Sequence, residues 1–173
     1  PTLAARQVAT LDHITDGRIA LHVISGGSDS DQKRDGDWVD HDERYLRTEE
    51  YMQILIKTWT STEPFDFKGR FYNIQNGFSE IKPYNLSSIP LYFGGASTIA
   101  NRIGGLYADV YALWGEPLAA IRQQIQTIQG IKRKRSHPIQ FSLSVRPIIE
   151  STEKLEWEKA NYILDHVKQS MGS

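Results

Sequence analysis

The sequence contains no cysteine among its 173 residues, so no disulfide framework and no thiolate metal site can be built from it. It has no excess of either charge: 20 lysines and arginines stand against 21 aspartates and glutamates, for a formal net charge of −1. That balance favours neither nucleic acid nor an anionic membrane surface as a partner. No apolar run is long enough to span a bilayer, and no charged stretch followed by an apolar one has the build of a secretory signal. The composition is therefore that expected of a cytoplasmic protein. The five histidines are scattered without a pair at metal-ligand spacing, so no metal site is expected. Neither a Gly-x-Gly-x-x-Gly fingerprint nor a phosphate-loop lysine motif occurs, which argues against nicotinamide Rossmann and nucleotide-hydrolase readings. No internal repeat or low-complexity tract is present.

What is present is an alternation of helical and strand-like patterns. Pro1 to His13 places Leu3, Val8 and Leu11 near one helical face, and Asp16-Gly17 ends the element. A strand follows from Arg18 to Ser25, apolar between its ends except for His22. Gly26 to Asp40 reads as a polar loop dense in aspartate (Asp29, Asp31, Asp35, Asp37, Asp40), too polar for a core and too long for a simple turn, hence mobile or functional. Asp42 to Thr60 is helical, with Asp40 or Asp42 as N-cap and Tyr45, Tyr51, Met52, Leu55, Ile56 and Trp59 on its apolar face. His41 and Glu43 read as helix-start residues rather than an acid/base pair, because carboxylates there favour the positive end of the helix.

Pro64 to Ile74 reads as two short aromatic strands around a Lys-Gly turn. A strand up to Gly94, a helix from Thr98 to Tyr107, a strand from Asp109 to Trp114, a helix from Leu118 to Lys134, a strand from Ile139 to Ile149 and a helix from Glu153 to Gln169 complete the chain. The basic run Lys132 to Arg135 reads as a solvated helix C-terminus. This βαβαβα order implies parallel strands with crossover helices, in either an open doubly wound sheet or a closed eight-stranded barrel. Both place chemistry at the carboxyl ends of strands, here Ile24-Ser25-Gly26-Gly27, Gly94-Gly95-Ala96-Ser97, Trp114-Gly115-Glu116-Pro117 and Val145-Arg146-Pro147. Of these, the Gly94-Gly95 turn has the clearest chemistry. Glycine lets backbone approach an anion, the first free N–H groups of the next helix point at it, and Ser97 adds a hydroxyl. The same dipeptide also serves as a plain tight turn.

Thr10-Leu11-Asp12 with Gly17-Arg18, Asp40 to Tyr45, Leu91 to Ser97, and Ala112 to Pro117, in this order along nearly the whole chain, resemble the bacterial luciferase-like flavin monooxygenases, closest to the alkanesulfonate monooxygenase branch. The resemblance implies an α/β fold of the (β/α)8 TIM-barrel type, of which residues 1–173 hold the central part: the third helix, strands four to seven with their helices, and a small β-hairpin insertion at Phe65 to Ile74. It implies an oxidoreductase of two components, in which an NAD(P)H-dependent flavin reductase delivers reduced FMN, and O2 is used to oxygenate a small organosulfur substrate such as an alkanesulfonate. A homo-oligomer is expected with it. Part of a barrel exposes strand edges and its apolar interior, so the chain by itself is expected to be inactive, and to be insoluble, swapped, paired with another copy, or a segment of a longer protein.

By the same resemblance, Gly95, Ala96 and Ser97 match a phosphate-binding turn and Tyr45 a tyrosine whose hydroxyl reaches the same phosphate. His22 lies where relatives place an asparagine beside the flavin ring, and Ser25 where they place a threonine. Trp114 matches a tryptophan of the active-site wall, with core packing as the alternative. In the seventh strand, Ser144 and Arg146 stand where sulfonate enzymes carry arginine and histidine; Arg146 is a candidate catalytic residue because its guanidinium stays charged and offers a donor fork. Two rival readings remain: a non-catalytic flavin-binding barrel, and a barrel enzyme that binds a phosphorylated metabolite without flavin.

Overall fold

A computed structural model of the chain describes residues 1–85 and 88–171. It divides into two compact units, Pro1–Leu143 and Ser144–Ser173. In the first, the helix Thr2–Ile14 (α1) buries Ala5, Ala9 and Asp12. The expected face was different: Leu3 is 63% and Leu11 48% exposed. The reason is proximity. Small residues let α1 lie close enough to the long helix α3, His41–Thr60, for the Trp59 indole to donate to the Ala5 carbonyl at 2.9 Å. Buried Asp12 accepts the Tyr84 N–H at 2.9 Å. Asp16 and Gly17, both at positive φ (53° and 73°), end α1.

The strand that follows, β1, is only Leu21–Val23, shorter than the expected Arg18 to Ser25. Its partner β4, Leu91–Gly94, offers a parallel ladder of matching length, with Leu21, His22 and Val23 opposite Leu91, Tyr92 and Phe93. Gly26 to Asp40 is not all loop. Ser28 caps a short helix α2, Asp29–Arg34, by accepting the Asp31 N–H. Asp40, of the two candidates, caps α3 by accepting the Glu43 N–H at 2.9 Å. Glu43 in turn pairs with Arg70 at 2.7 Å.

The aromatic hairpin is formed by β2, Phe65–Lys68, and β3, Asn73–Gly77, antiparallel and bulged. Its turn is held by the Glu50 carboxylate of α3, which accepts the N–H groups of Arg70, Phe71 and Tyr72 at 2.7, 3.0 and 3.1 Å.

After β4 come helix α4, Thr98–Tyr107, strand β5, Val110–Trp114, helix α5, Leu118–Gln129, and strand β6, Gln140–Ser144. The main sheet runs β1-β4-β5-β6, and the β1–β4 and β4–β5 pairs are parallel. Side chains alternate across it. Val23, Leu91, Phe93, Tyr111 and Leu113 point to the core shared with α1, α3 and α4, whereas His22 and Trp114 on the other register are exposed. Burial of side chains like Phe93 stabilises by roughly 1.5–3 kcal/mol each.

Two expectations are corrected at β6. The helix before it stops at Gln129 rather than Lys134, with Gly130 as C-cap, and the strand is five residues long rather than reaching Ile149. The basic run is consequently no solvated helix end. Arg135, 8% exposed in its side chain, binds the Asp109 carboxylate through two hydrogen bonds of 2.9 Å, joined by His137 at 2.6 Å. Arg133 donates to the carbonyls of Gly105, Ala108 and His137. A buried carboxylate needs such partners, and Asp109 sits at the amino end of β5, where barrels concentrate stability rather than chemistry. The second unit carries helix α6, Glu153–Met171. Among the described residues no helix is long and apolar enough to cross a membrane.

Candidate functional site

The turn from β4 to α4 is built for close approach. A Cβ at Gly94 would lie 2.9 Å from the Ala112 carbonyl, so the β4 and β5 backbones meet there without room for a side chain. Gly95 has φ +152°, and a Cβ on it would lie 2.6 Å from the Ala100 Cβ and 2.9 Å from the Tyr45 hydroxyl. A methyl would crowd both groups, so only glycine keeps the backbone bare here, and the turn forms a shallow cradle with the Tyr45 phenol oxygen beside it. Ser97 caps α4 by accepting the Ala100 N–H at 3.3 Å, and its own hydroxyl hydrogen is left to donate elsewhere. The N–H groups of Thr98 and Ile99, in the first turn of α4, lack intrahelical partners and carry the positive end of its dipole.

Tyr45 is brought there by α3. Its ring is 8% exposed, edge-on to Phe93 (6.1 Å, 78°) and against His41 (4.9 Å, 56°). The structure therefore brings together Tyr45, Gly95 and the cap of α4, which lie 50 residues apart in the chain at the Tyr45–Gly95 contact (95 − 45).

Beneath the turn lies a polar network that the sequence did not reveal. The Gly95 carbonyl accepts from the Tyr111 hydroxyl at 2.9 Å and from the Gln124 amide at 2.8 Å, and the Asn101 carboxamide oxygen lies 3.0 and 2.9 Å from the same two donors. Burial, followed by the neighbouring Tyr45, pushes the Tyr111 phenol well above its ordinary range against the lowering effect of the Gln124 bond, so it remains a neutral donor. Nothing in a local pattern marks these residues, because their shared acceptor is a backbone oxygen distant in sequence.

His22 and Ser25 face a different feature. Together with Gly26, Gln32, Arg47, Thr48, Tyr51 and Tyr72, among others, they line a cavity of about 440 Å³ alongside β1 and the residues that follow it. His22 lies 6.4 Å from the Tyr92 ring. The Ser25 hydroxyl is buried and, among the described residues, has no hydrogen-bond partner, an orphaned polar atom on the wall of the cavity. Gly26 (φ +93°) is covered by the Gln32 side chain, whose atoms lie 2.6–2.9 Å from where its Cβ would be.

The segment over the cavity is latched to α3 by two ion pairs. Arg44, with a side chain 2% exposed, donates to Asp29 at 2.7 Å and to the Val39 carbonyl at 2.7 Å, and Arg47 pairs with Asp37. The hydrogen bonds from Arg44 and Arg47, foremost, hold the Asp29 and Asp37 carboxyls below the ordinary carboxylate range.

Two candidates remain, Trp114 and Arg146. Trp114 ends β5 with 63% of its surface exposed, so it is not a core residue of its unit. Arg146 is an exposed residue of the second unit, two positions beyond β6. Among the described residues no cluster of three or more histidines and carboxylates could hold a metal ion.

Comparison with known proteins agrees with this architecture. Riboflavin lyase RcaE, solved with modified FMN and riboflavin, is 20% identical with a TM-score of 0.76 over 95% of the chain and 42% of its own length. EDTA monooxygenase EmoA from Chelativorans sp. BNC1 is 20% identical, with a TM-score of 0.75 over 90% of the chain and 43% of its own. DmoA from Hyphomicrobium sulfonivorans is 26% identical, with a TM-score of 0.62 over 75% of the chain and 32% of its own. The chain spans less than half the length of these structures, so the fold is that of a partial barrel. The model of the family described as luciferase-like monooxygenase matches residues 1–171, and the chain belongs to that family.

Proposed function

We propose that the chain is the flavin-phosphate-binding part of a monooxygenase that takes reduced FMN from a separate NAD(P)H-dependent flavin reductase and uses O2 to oxygenate an organosulfur compound such as an alkanesulfonate. The observation that carries this reading is the Gly95 cradle, with the Tyr45 hydroxyl 2.9 Å from where a Cβ would stand and the N-terminus of α4 opening onto the same turn. The residues fit a phosphate monoester. The backbone N–H groups of Ala96 and Ser97, the Ser97 hydroxyl and the Tyr45 hydroxyl would donate to its oxygens, and the α4 dipole favours its charge. The orphaned Ser25 hydroxyl and His22 offer polar contacts to a ring system seated at the cavity beside β1.

Reduced FMN, when bound, supplies the two electrons that let one oxygen atom of O2 enter the substrate and the other leave as water. In an alkanesulfonate the products would be an aldehyde and bisulfite. The chain's own part is to bind, orient and exclude water. Trp114 would wall the reacting region with apolar surface. On chemistry alone, Arg146 is the group to pair with a sulfonate, since a guanidinium presents a fork of donors matched to its oxygens.

The test is titration of the full-length protein with reduced FMN under anaerobic conditions, repeated with Tyr45→Phe and Ser97→Ala. Each variant is expected to weaken binding by about 1 kcal/mol, roughly fivefold in Kd. Absence of FMN binding by the wild type would overturn the reading and leave a barrel whose ligand is open. FMN binding without release of sulfite or oxidised product from a panel of sulfonates and sulfones would overturn the substrate assignment.

A further inference from the structure

The Gly95 carbonyl is held more firmly than a turn requires. Donors from two elements converge on it, Tyr111 from β5 and Gln124 from α5, and the Asn101 oxygen of α4 accepts from the same two. The hydrogens can be counted. The Gln124 amide has two and donates to both the Gly95 carbonyl (2.8 Å) and the Asn101 oxygen (2.9 Å), while the single Tyr111 hydrogen has either oxygen within reach (2.9 and 3.0 Å). Three hydrogens thus serve two acceptor oxygens, and the Asn101 carboxamide must present its oxygen, not its nitrogen, to both donors.

The consequence follows from peptide geometry. The Gly95 carbonyl and the Ala96 N–H belong to one planar unit, and every peptide of the described chain is trans, so the two point in opposite directions. Fixing the carbonyl toward Tyr111 and Gln124 fixes the Ala96 N–H away from them, out of the core. We infer that Tyr111, Gln124 and Asn101 are positioning residues that aim the Ala96 N–H into the cradle, setting the turn's preference for a phosphorylated ligand. This inference rests on the FMN reading of the site. None of the three touches the ligand in it; each acts through the orientation of one peptide plane.

The experiment compares reduced FMN with reduced riboflavin, which has the same ring and ribityl chain without the phosphate, on the full-length protein and on Tyr111→Phe and Gln124→Met. Tyr111→Phe keeps the ring edge-on to Phe93 (6.3 Å, 74°) and removes only the hydroxyl. If it does not fold, judged by circular dichroism, Gln124→Met, at a half-buried helix position, carries the test. The expected result is a roughly 3- to 10-fold loss of FMN affinity per variant with riboflavin affinity unchanged, so the FMN-over-riboflavin ratio falls by the same factor. Equal weakening of both ligands, or an unchanged ratio in folded variants, overturns the inference and leaves the network a scaffold. A wild-type protein that binds no flavin, or binds both flavins equally, overturns the phosphate-site reading itself and this inference with it.

Discussion

Replacing Gly95 by alanine tests the geometry of the turn most directly. The added methyl would stand 2.6 Å from the Ala100 Cβ and 2.9 Å from the Tyr45 hydroxyl, where nonbonded carbons prefer about 3.5–4.0 Å. The tyrosine hydroxyl is the end of a side chain, but the Ala100 Cβ rides on the backbone of α4, so relief requires the first turn of that helix to move. Overpacking of this kind costs about 1–3 kcal/mol. A further cost of about 1–3 kcal/mol comes from holding an L residue at φ +152°. Together they predict a loss of roughly 2–6 kcal/mol and, because the methyl occupies the cradle, loss of FMN binding in whatever fraction folds.

The two contributions separate in a double-mutant cycle with Ala100→Gly. That change removes the 2.6 Å contact but not the φ cost, so Gly95→Ala should be less destabilising in the Ala100→Gly background by about 1–3 kcal/mol. Urea unfolding gives the coupling, and anaerobic FMN titration gives the binding loss. Equal destabilisation in both backgrounds would show that the methyl does not meet α4, and the cradle described here would be wrong.

Asp109→Asn leaves the Arg135 guanidinium, 8% exposed, without a counter-charge, and should destabilise by about 3–5 kcal/mol in urea unfolding, whereas Asp109→Asn with Arg135→Met should recover part of that loss. The latch between α2 and α3 should depend on pH in one direction. The Asp29 and Asp37 carboxyls titrate below their ordinary value of 3.8 when folded, so their pairing stabilises above that value and is lost as pH falls through the lowered folded values. Amide exchange in α2 should accordingly show protection at about pH 5 that begins to fall near the ordinary value of 3.8 and is lost only as pH drops through the lowered folded values, after correction for intrinsic rates; protection that does not change with pH would refute the ion-pair latch.

How far the site was legible depended on whether its signals were local. Ser97 as a cap, Thr98–Tyr107 as a helix and the glycines before it were readable because capping and close approach are properties of a few consecutive residues. Strand lengths were not: the apolar run from Arg18 to Ser25 says nothing about how many partners β4 offers, and it offers a three-residue register. The helix α2 was missed among its aspartates although Ser28, acidic residues in its first turn and Lys33-Arg34 in its last are ordinary helix signals. A six-residue helix is marginal in itself, and its anchors, Arg44 and Arg47, lie on another element. The basic run at Lys132 to Arg135 was misread for a related reason, since its decisive partner Asp109 is 26 residues away from Arg135.

The sequence by itself determined the parallel α/β plan and the place of a bare glycine turn before a capped helix, because hydrophobic period, caps and glycines act on neighbours in the chain. Only the tertiary structure decided which side chains complete that place. The Tyr45 hydroxyl beside Gly95, and the Tyr111 and Gln124 donors 16 and 29 residues from the carbonyl they hold, are set by the packing of α3, β5 and α5 around β4. A hydrogen bond to a backbone oxygen leaves no mark on the identity of the residue that provides it.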